Sequence, residues 1–217
     1  MQKTSPFLKT IYLILINIGL CSAVALAGDE AKDIAAPQPG PFDRGTWEME
    51  AGAGYFSSVS VPDARRTAIN YQLNDVRLGW MYDSPRHNGW LRGNNEFLLE
   101  TFGGFVTRGG LRGYLAGATP LWRYNFVQPD SKWVPYIQLG LGATWNNLFH
   151  SQKQDEIGEG FEFVLQPNVG LKYLVNDQWA ISAEAGYRHI SNAGLAYSRN
   201  EGLNSLGGLM QLSYRFH

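Results

Sequence analysis

The sequence predicts an all-β protein, an eight-stranded antiparallel transmembrane β-barrel. Three observations carry that expectation. From Thr46 onward apolar residues recur at every second position through long segments, with no helical period. Aromatic residues crowd the ends of those segments, and the opposite face is polar and glycine-rich. No apolar run after residue 27 reaches the roughly 18 residues that a spanning helix requires.

Eight segments alternate. The first, 46–59, puts Trp47, Met49, Ala51, Ala53 and Tyr55 on one side, and 69–82 does the same with Val76, Leu78, Trp80 and Tyr82. Segment 90–106 alternates less cleanly through Phe97, Leu99 and Phe105. In 112–127, Tyr114, Ala116, Ala118, Trp122, Tyr124 and Phe126 oppose Gly113, Gly117, Thr119, Arg123 and Asn125. Segments 133–146 (Trp133, Ile137, Leu139, Leu141, Trp145) and 160–175 (Phe161, Phe163, Leu165, Val169, Leu171, Tyr173) follow the same rule. So do 178–191 (Trp179, Ile181, Ala183, Ala185, Tyr187) and 203–216 (Met210, Leu212, Tyr214, Phe216). These runs exceed the ~5–6 residues of an ordinary soluble strand and meet the ~9–11 that a tilted membrane strand needs. Lipid offers no partner for an open edge, so the sheet must close. Eight strands leave an interior filled by side chains, which excludes a wide pore.

The connections fit this reading. Short links at 83–89, 128–131 and 176–177 are expected on the periplasmic side. Longer ones at 60–68, 148–159 and 193–202 are expected outside. On the inward parity, Glu48, Glu50, Glu162, Glu184, Arg77, Arg123 and Arg188 read as structural ion pairs across the lumen. The chain ends in strand with Phe216 next to last, as outer-membrane barrels commonly do, with His217 a small departure.

Composition agrees. Charged residues are 17% of the chain, below the usual ~25%. Lys plus Arg is 18 and Asp plus Glu 19, a balance that excludes a nucleic-acid binder relying on bulk positive charge. The mean hydropathy of −0.24 is the average of an apolar face and a polar one. Residues 1–27 read as a secretory signal: Lys3 and Lys9 precede the apolar stretch from Ile11 to Leu20, and Ala25-Leu26-Ala27 fits a cleavage site. Its removal takes Cys21, the sole cysteine, and leaves a net charge of −3 in place of −1. The proline-bearing stretch 28–45 is expected to be an N-terminal tail or short plug, and 46–217 the barrel. This organisation places the protein in the outer membrane of a Gram-negative bacterium.

Two residues on the apolar parity of segment 178–191 are polar, His189 and Ser191. Residues i and i+2 on one strand face lie about 7 Å apart at the backbone, close enough for an imidazole to lean toward a hydroxyl. A serine becomes a useful nucleophile when a neighbouring base takes its proton. By spacing alone, H-x-S is a weak signal and reads more readily as a pair of polar residues near a membrane interface.

The stretch Tyr187-Arg188-His189-Ile190-Ser191-Asn192-Ala193-Gly194-Leu195, followed by Asn200-Glu201-Gly202-Leu203-Asn204, resembles the PagL-like lipid A deacylases. The resemblance implies a serine esterase site on the outside of the barrel, open to the outer leaflet, removing the 3-O-linked acyl chain of lipid A. It implies Ser191 as nucleophile, His189 as general base, and Asn200 with the backbone N–H of Gly194 as oxyanion hole. No His/Asp/Glu spacing reads as a metal site, and no cofactor is expected. The family's histidine-orienting glutamate is absent, and its position is Asn204. Pairing residue 192 with 203 puts Ser191 opposite Asn204 and His189 on the diagonal. An asparagine can fix a histidine tautomer but lacks the charge that stabilises an imidazolium, and such a replacement costs about 10⁴ in rate in a serine protease. Glu201 is the other carboxylate in reach of the hairpin.

The expected partners are lipopolysaccharide (lipid A) and the membrane, with no nucleic acid and a homodimer left open. A non-catalytic structural or adhesive barrel is the alternative, and an esterase or acyltransferase acting on phospholipid a third. Arg65, Arg66, Arg108 and Arg112 read either as contacts to lipid phosphates or as surface arginines. Asp155, Glu156 and Glu159 read as a solvated loop or a divalent-ion site, and His87 and His150 as exposed.

Overall fold

The computed structural model describes residues 40–59, 69–106, 112–151, 153–195 and 201–217. Its strands are β1 (Trp47–Ser58), β2 (Asn70–Met81), β3 (Gly93–Val106), β4 (Tyr114–Phe126), β5 (Trp133–Asn146), β6 (Phe161–Leu174), β7 (Trp179–Ser191) and β8 (Leu203–Phe216). Each pairs antiparallel with its chain neighbour, and β1 closes the barrel on β8 from Trp47↔Phe216 to Ser58↔Ser205. Strands of 12 to 14 residues are about 40 Å long, and a tilt of ~40° brings them to the ~30 Å of a hydrocarbon core. One boundary differs from expectation. Gly89, at φ 64°, leads into a 3₁₀ turn (Gly89–Leu91), so the third strand begins at Gly93 rather than at residue 90.

The alternation sorts side chains as the sequence predicts. Val76, Leu78, Phe97, Leu99, Leu139, Leu141, Val169 and Leu212 are exposed on the outer wall. Toward the periplasmic rim, aromatic rings meet across strands: Trp47 with Trp80, Trp133 with Tyr173, and Trp179 with Tyr214. At the other rim Trp145, Phe161 and Phe163 pack edge to face. These are the two interfacial girdles of a membrane barrel.

The lumen is filled in two layers. The charged layer centres on two forked ion pairs, Arg77 with Glu184 (2.9 and 3.1 Å) and Arg123 with Glu50 (2.7 and 2.8 Å). Bidentate geometry satisfies both partners away from water. Arg77 also reaches Asp75 and Glu100 at 2.8 Å, Arg188 reaches Glu100 at 2.9 Å, and Arg215 reaches Glu48 at 3.1 Å. Lys172 pairs with Glu48 and Glu50. The sequence reading missed Asp75, Glu96, Glu100, Lys172 and Arg215 as members of this network. Glu162 departs from the ion-pair expectation: it accepts the backbone N–H of Glu159 at 3.1 Å and so holds the end of the loop before β6.

Above this layer lies an apolar one, in which Phe56, Tyr71, Leu73, Phe102, Ile190 and Leu203 pack with Leu148 and Ile157 of the loop 147–160. That loop is not simply solvated. Glu156 is buried and accepts the Asp155 N–H at 3.0 Å, while Asp155 and Glu159 stay exposed. At the periplasmic mouth Phe42 is buried against Met81 and Val134, and its carbonyl accepts a hydrogen bond from Asn94 at 2.9 Å.

Candidate active site on the lipid-facing wall

The outward face of β7 reads Trp179, Ile181, Ala183, Ala185, Tyr187, His189, Ser191. The three small or apolar residues from Ile181 to Ala185 give way to three side chains that can hydrogen-bond. The intervening residues are firmly anchored. Arg188 is buried in the lumen, over the Phe102 ring at 4.4 Å, and Ile190 is fully buried. Packing of these inward neighbours holds the backbone that carries His189 and Ser191, so the outward pair sits on a rigid element rather than a loop.

Across the hairpin, His189 pairs directly with Asn204 and Ile190 with Leu203. The sequence-based pairing of 192 with 203 is therefore displaced by two residues. Asn204 faces His189 and not Ser191, while Ser191 pairs on its other side with Phe163 of β6. A displacement of two preserves which residues face outward, so alternation could not expose it. The consequence is favourable for the histidine: its Nδ1 lies 2.7 Å from Asn204 Oδ1. An amide oxygen only accepts, so Nδ1 carries the proton and Nε2 keeps its lone pair. That is the tautomer a general base requires.

Two further residues shape the site. The Tyr187 hydroxyl donates to the same Asn204 Oδ1. Gly202 has φ 75°, and a Cβ there would lie 2.8 Å from His189 Cε1 and 3.5 Å from Ser191 Cβ. Gly202 thus leaves the space beside the His189 and Ser191 side chains open. Its N–H donates to the Glu156 carbonyl at 3.0 Å, so the loop before β6 braces the hairpin that carries Asn204. The Tyr187 role was hidden in the sequence because an interfacial tyrosine at that parity reads as a girdle ring. Gly202 was visible in N-x-G, but its contact with the imidazole required the fold.

The turn after β7 is tight. Ala193 and Gly194 have φ 54° and 78°, the Gly194 N–H donates to Asn192 Oδ1 at 3.0 Å, and the Leu195 N–H donates to the Asn192 carbonyl at 3.1 Å. Glu201 is exposed, and its N–H donates toward the Asp155 carbonyl at 3.5 Å. Among the described residues no hydrogen bond joins Ser191 Oγ to the His189 ring, although both lie on one face two residues apart. Asn200 falls outside the described residues, as do Arg65, Arg66 and Arg108. Arg112, His87 and His150 are exposed.

A closed eight-stranded barrel with an apolar outer wall, two aromatic girdles and a filled lumen is an outer-membrane barrel of a Gram-negative bacterium. Its polar constellation sits on the outside of the wall. The family model described as lipid A 3-O-deacylase (PagL) matches residues 65–213, and the chain belongs to that family. Among solved structures, the outer membrane enzyme PagL superposes with a TM-score of 0.52 at 19% identity, over 76% of this chain and 97% of that one. Neisserial surface protein A follows at 0.49 and 16%, over 79% and 98%. The N-terminal barrel domain of Pseudomonas aeruginosa OprF gives 0.48 and 17%, over 80% and 98%. None of the curated protein sequences matches.

Proposed function

We propose that this protein is an esterase that removes the 3-O-linked acyl chain from lipid A, with Ser191 as nucleophile and His189 as general base. The observation that carries the reading is the Asn204–His189 hydrogen bond on the lipid-facing wall, next to Ser191. A catalytic pair outside the barrel suits a substrate that is itself part of the outer leaflet. Family membership supports the same substrate.

In this mechanism the ester carbonyl of lipid A approaches Ser191 from the membrane. His189 Nε2 takes the Ser191 proton as Oγ attacks, giving a tetrahedral oxyanion. The Gly194 N–H and Asn200 are the proposed donors to that oxygen, which requires the Gly194 N–H to exchange Asn192 Oδ1 for the oxyanion. Collapse breaks the ester bond. The sugar hydroxyl leaves with the proton from His189, and the acyl group stays on Ser191. Water then attacks the acyl-enzyme as His189 takes its proton, freeing the fatty acid. Asn204 keeps the imidazole in the working tautomer throughout but supplies no negative charge to the imidazolium. Glu201 is the carboxylate available to the hairpin for that purpose.

The neutral Asn204 also favours a second reading, a barrel that retains the motif without catalysis. Mass spectrometry of lipid A from cells producing the wild-type chain, Ser191→Ala and His189→Ala separates the two. Loss of one hydroxyacyl chain in the wild type alone is the expected result. An unaltered lipid A in all three, or equal loss from Ser191→Ala, overturns the esterase. Loss of acyl chains from phospholipid instead would reassign the substrate.

A further inference from the structure

The Ser191–His189 reading leaves a gap: something must keep Asn204 turned so that its oxygen, and not its NH₂ group, meets the imidazole. A carboxylate has two equivalent oxygens and can only accept. An amide has one acceptor end and one donor end, and a rotation of 180° about its last torsion exchanges them. If Nδ2 faced His189, the ring nitrogen there would have to accept, the proton would move to Nε2, and the atom facing Ser191 would no longer be a base. Where the family's acid is replaced by asparagine, catalysis therefore depends on the amide's orientation.

We propose that Tyr187 is the positioning residue that sets this orientation. Tyr187 lies two residues before His189 on the same outward face, diagonal to Asn204 across the β7–β8 ladder. Its hydroxyl donates to Asn204 Oδ1, the atom that also accepts from His189 Nδ1. Both lone pairs of one oxygen are thus used by two donors. A phenol is a better donor than acceptor, so it favours the oxygen end of the amide on its side of the site. Because both donors converge on one atom, the phenol's preference becomes the histidine's tautomer. Tyr187, His189 and Asn204 are each half-buried within an otherwise exposed wall, so water competes poorly for these bonds. Tyr187 does not touch the reacting atoms; it acts through Asn204. This role rests on the proposed Ser191–His189 chemistry for its effect on activity, but not for its effect on the imidazole.

The test is a double-mutant cycle with a spectroscopic arm. Tyr187→Phe removes only the hydroxyl and is expected to lower kcat for release of the hydroxyacyl chain roughly tenfold with KM unchanged, the size of one hydrogen bond's preference. In the isosteric Asn204→Asp background the same Tyr187→Phe change is expected to cost less than about twofold, because a carboxylate has no wrong end. Ring ¹⁵N shifts of His189 in detergent-solubilised protein are expected to report the Nδ1–H tautomer in the wild type and the Nε2–H tautomer in Tyr187→Phe. An equal loss in both backgrounds, or an unchanged tautomer in Tyr187→Phe, overturns the proposal. If Asn204→Asp does not fold, the ring shifts decide alone. They also decide if Ser191→Ala shows that the esterase reading is wrong, so the two failures stay distinguishable.

Discussion

The lumen and the lipid-facing site are both polar islands in an apolar barrel, yet they are built on opposite rules. In the lumen Arg77, Arg123 and Lys172 each have several carboxylate partners, whereas Arg188 has one, Glu100. Arg77 alone reaches Asp75, Glu100 and Glu184, and Lys172 bridges Glu48 and Glu50. At the site two donors share one oxygen, Asn204 Oδ1, and the remaining ring nitrogen is left for the proposed chemistry. Redundancy suits a network whose task is to hold strands together in a place water cannot reach. A single shared acceptor suits a site where one proton must be on one atom. Damage should therefore separate: lumen substitutions act on folding, and site substitutions act on turnover.

The largest effect is expected from Arg77→Met. It leaves the carboxylates of Asp75, Glu100 and Glu184 without their common cation, and removal of one partner from a buried ionic network costs about 3–5 kcal/mol. Denaturant unfolding of the refolded barrel in detergent should show a large drop in midpoint, while whatever protein does fold should keep wild-type kcat. Gly202→Ala should do the reverse. The added Cβ lies 2.8 Å from His189 Cε1 at a φ of 75°, so the imidazole must shift. Displacement of a catalytic group by up to an ångström can cost about 10²-fold in rate. The unfolding midpoint should move far less, by the ~1–2 kcal/mol of an alanine in the left-handed region. A large loss of stability with intact turnover in Gly202→Ala would break the contrast between the two regions.

The smallest effect tests a polar cluster that belongs to neither region. In the turn after β2, burial alone would raise the Asp83 carboxyl. Hydrogen bonds from the Asn95 N–H at 2.6 Å, Asn95 Nδ2 at 2.8 Å and Arg86 at 2.5 Å outweigh it and hold the group below its ordinary range. A carboxyl depressed in the folded state stabilises above its unfolded pKa of about 3.9, and that contribution fades as pH falls through the folded value. Stability of the wild type should thus decline below pH ~4 by more than that of Asp83→Asn. Identical acid profiles would remove Asp83 from the account.

Much of this protein is legible in its residues because period two is a strong code. Trp47 to Tyr55 and Trp179 to Tyr187 declare their outward face, and a polar pair at His189 and Ser191 stands out against it. The third strand was the weakest, since Trp90 and Leu91 read as its apolar start, whereas the left-handed Gly89 leads them into a turn. Lumen membership was under-read for a similar reason: Glu96 and Glu100 lie in that less regular strand, and nothing local pairs them with Arg123 or Arg77.

By itself the sequence determined the faces, the number of strands, the girdles and the identity of the polar exceptions, all of which follow from the alternation of neighbouring side chains. It did not determine the register. A slip of two residues leaves every face unchanged, and only closure of all eight ladders, with Ile190 and Leu203 seated in the lumen, chooses between them. That choice sets Asn204 opposite His189 instead of Ser191, and brings the Tyr187 hydroxyl and the bare Gly202 to the same imidazole. Hydrogen bonds across a barrel wall depend on ångströms that a period of two cannot encode, so the tautomer of His189 belongs to the tertiary structure alone.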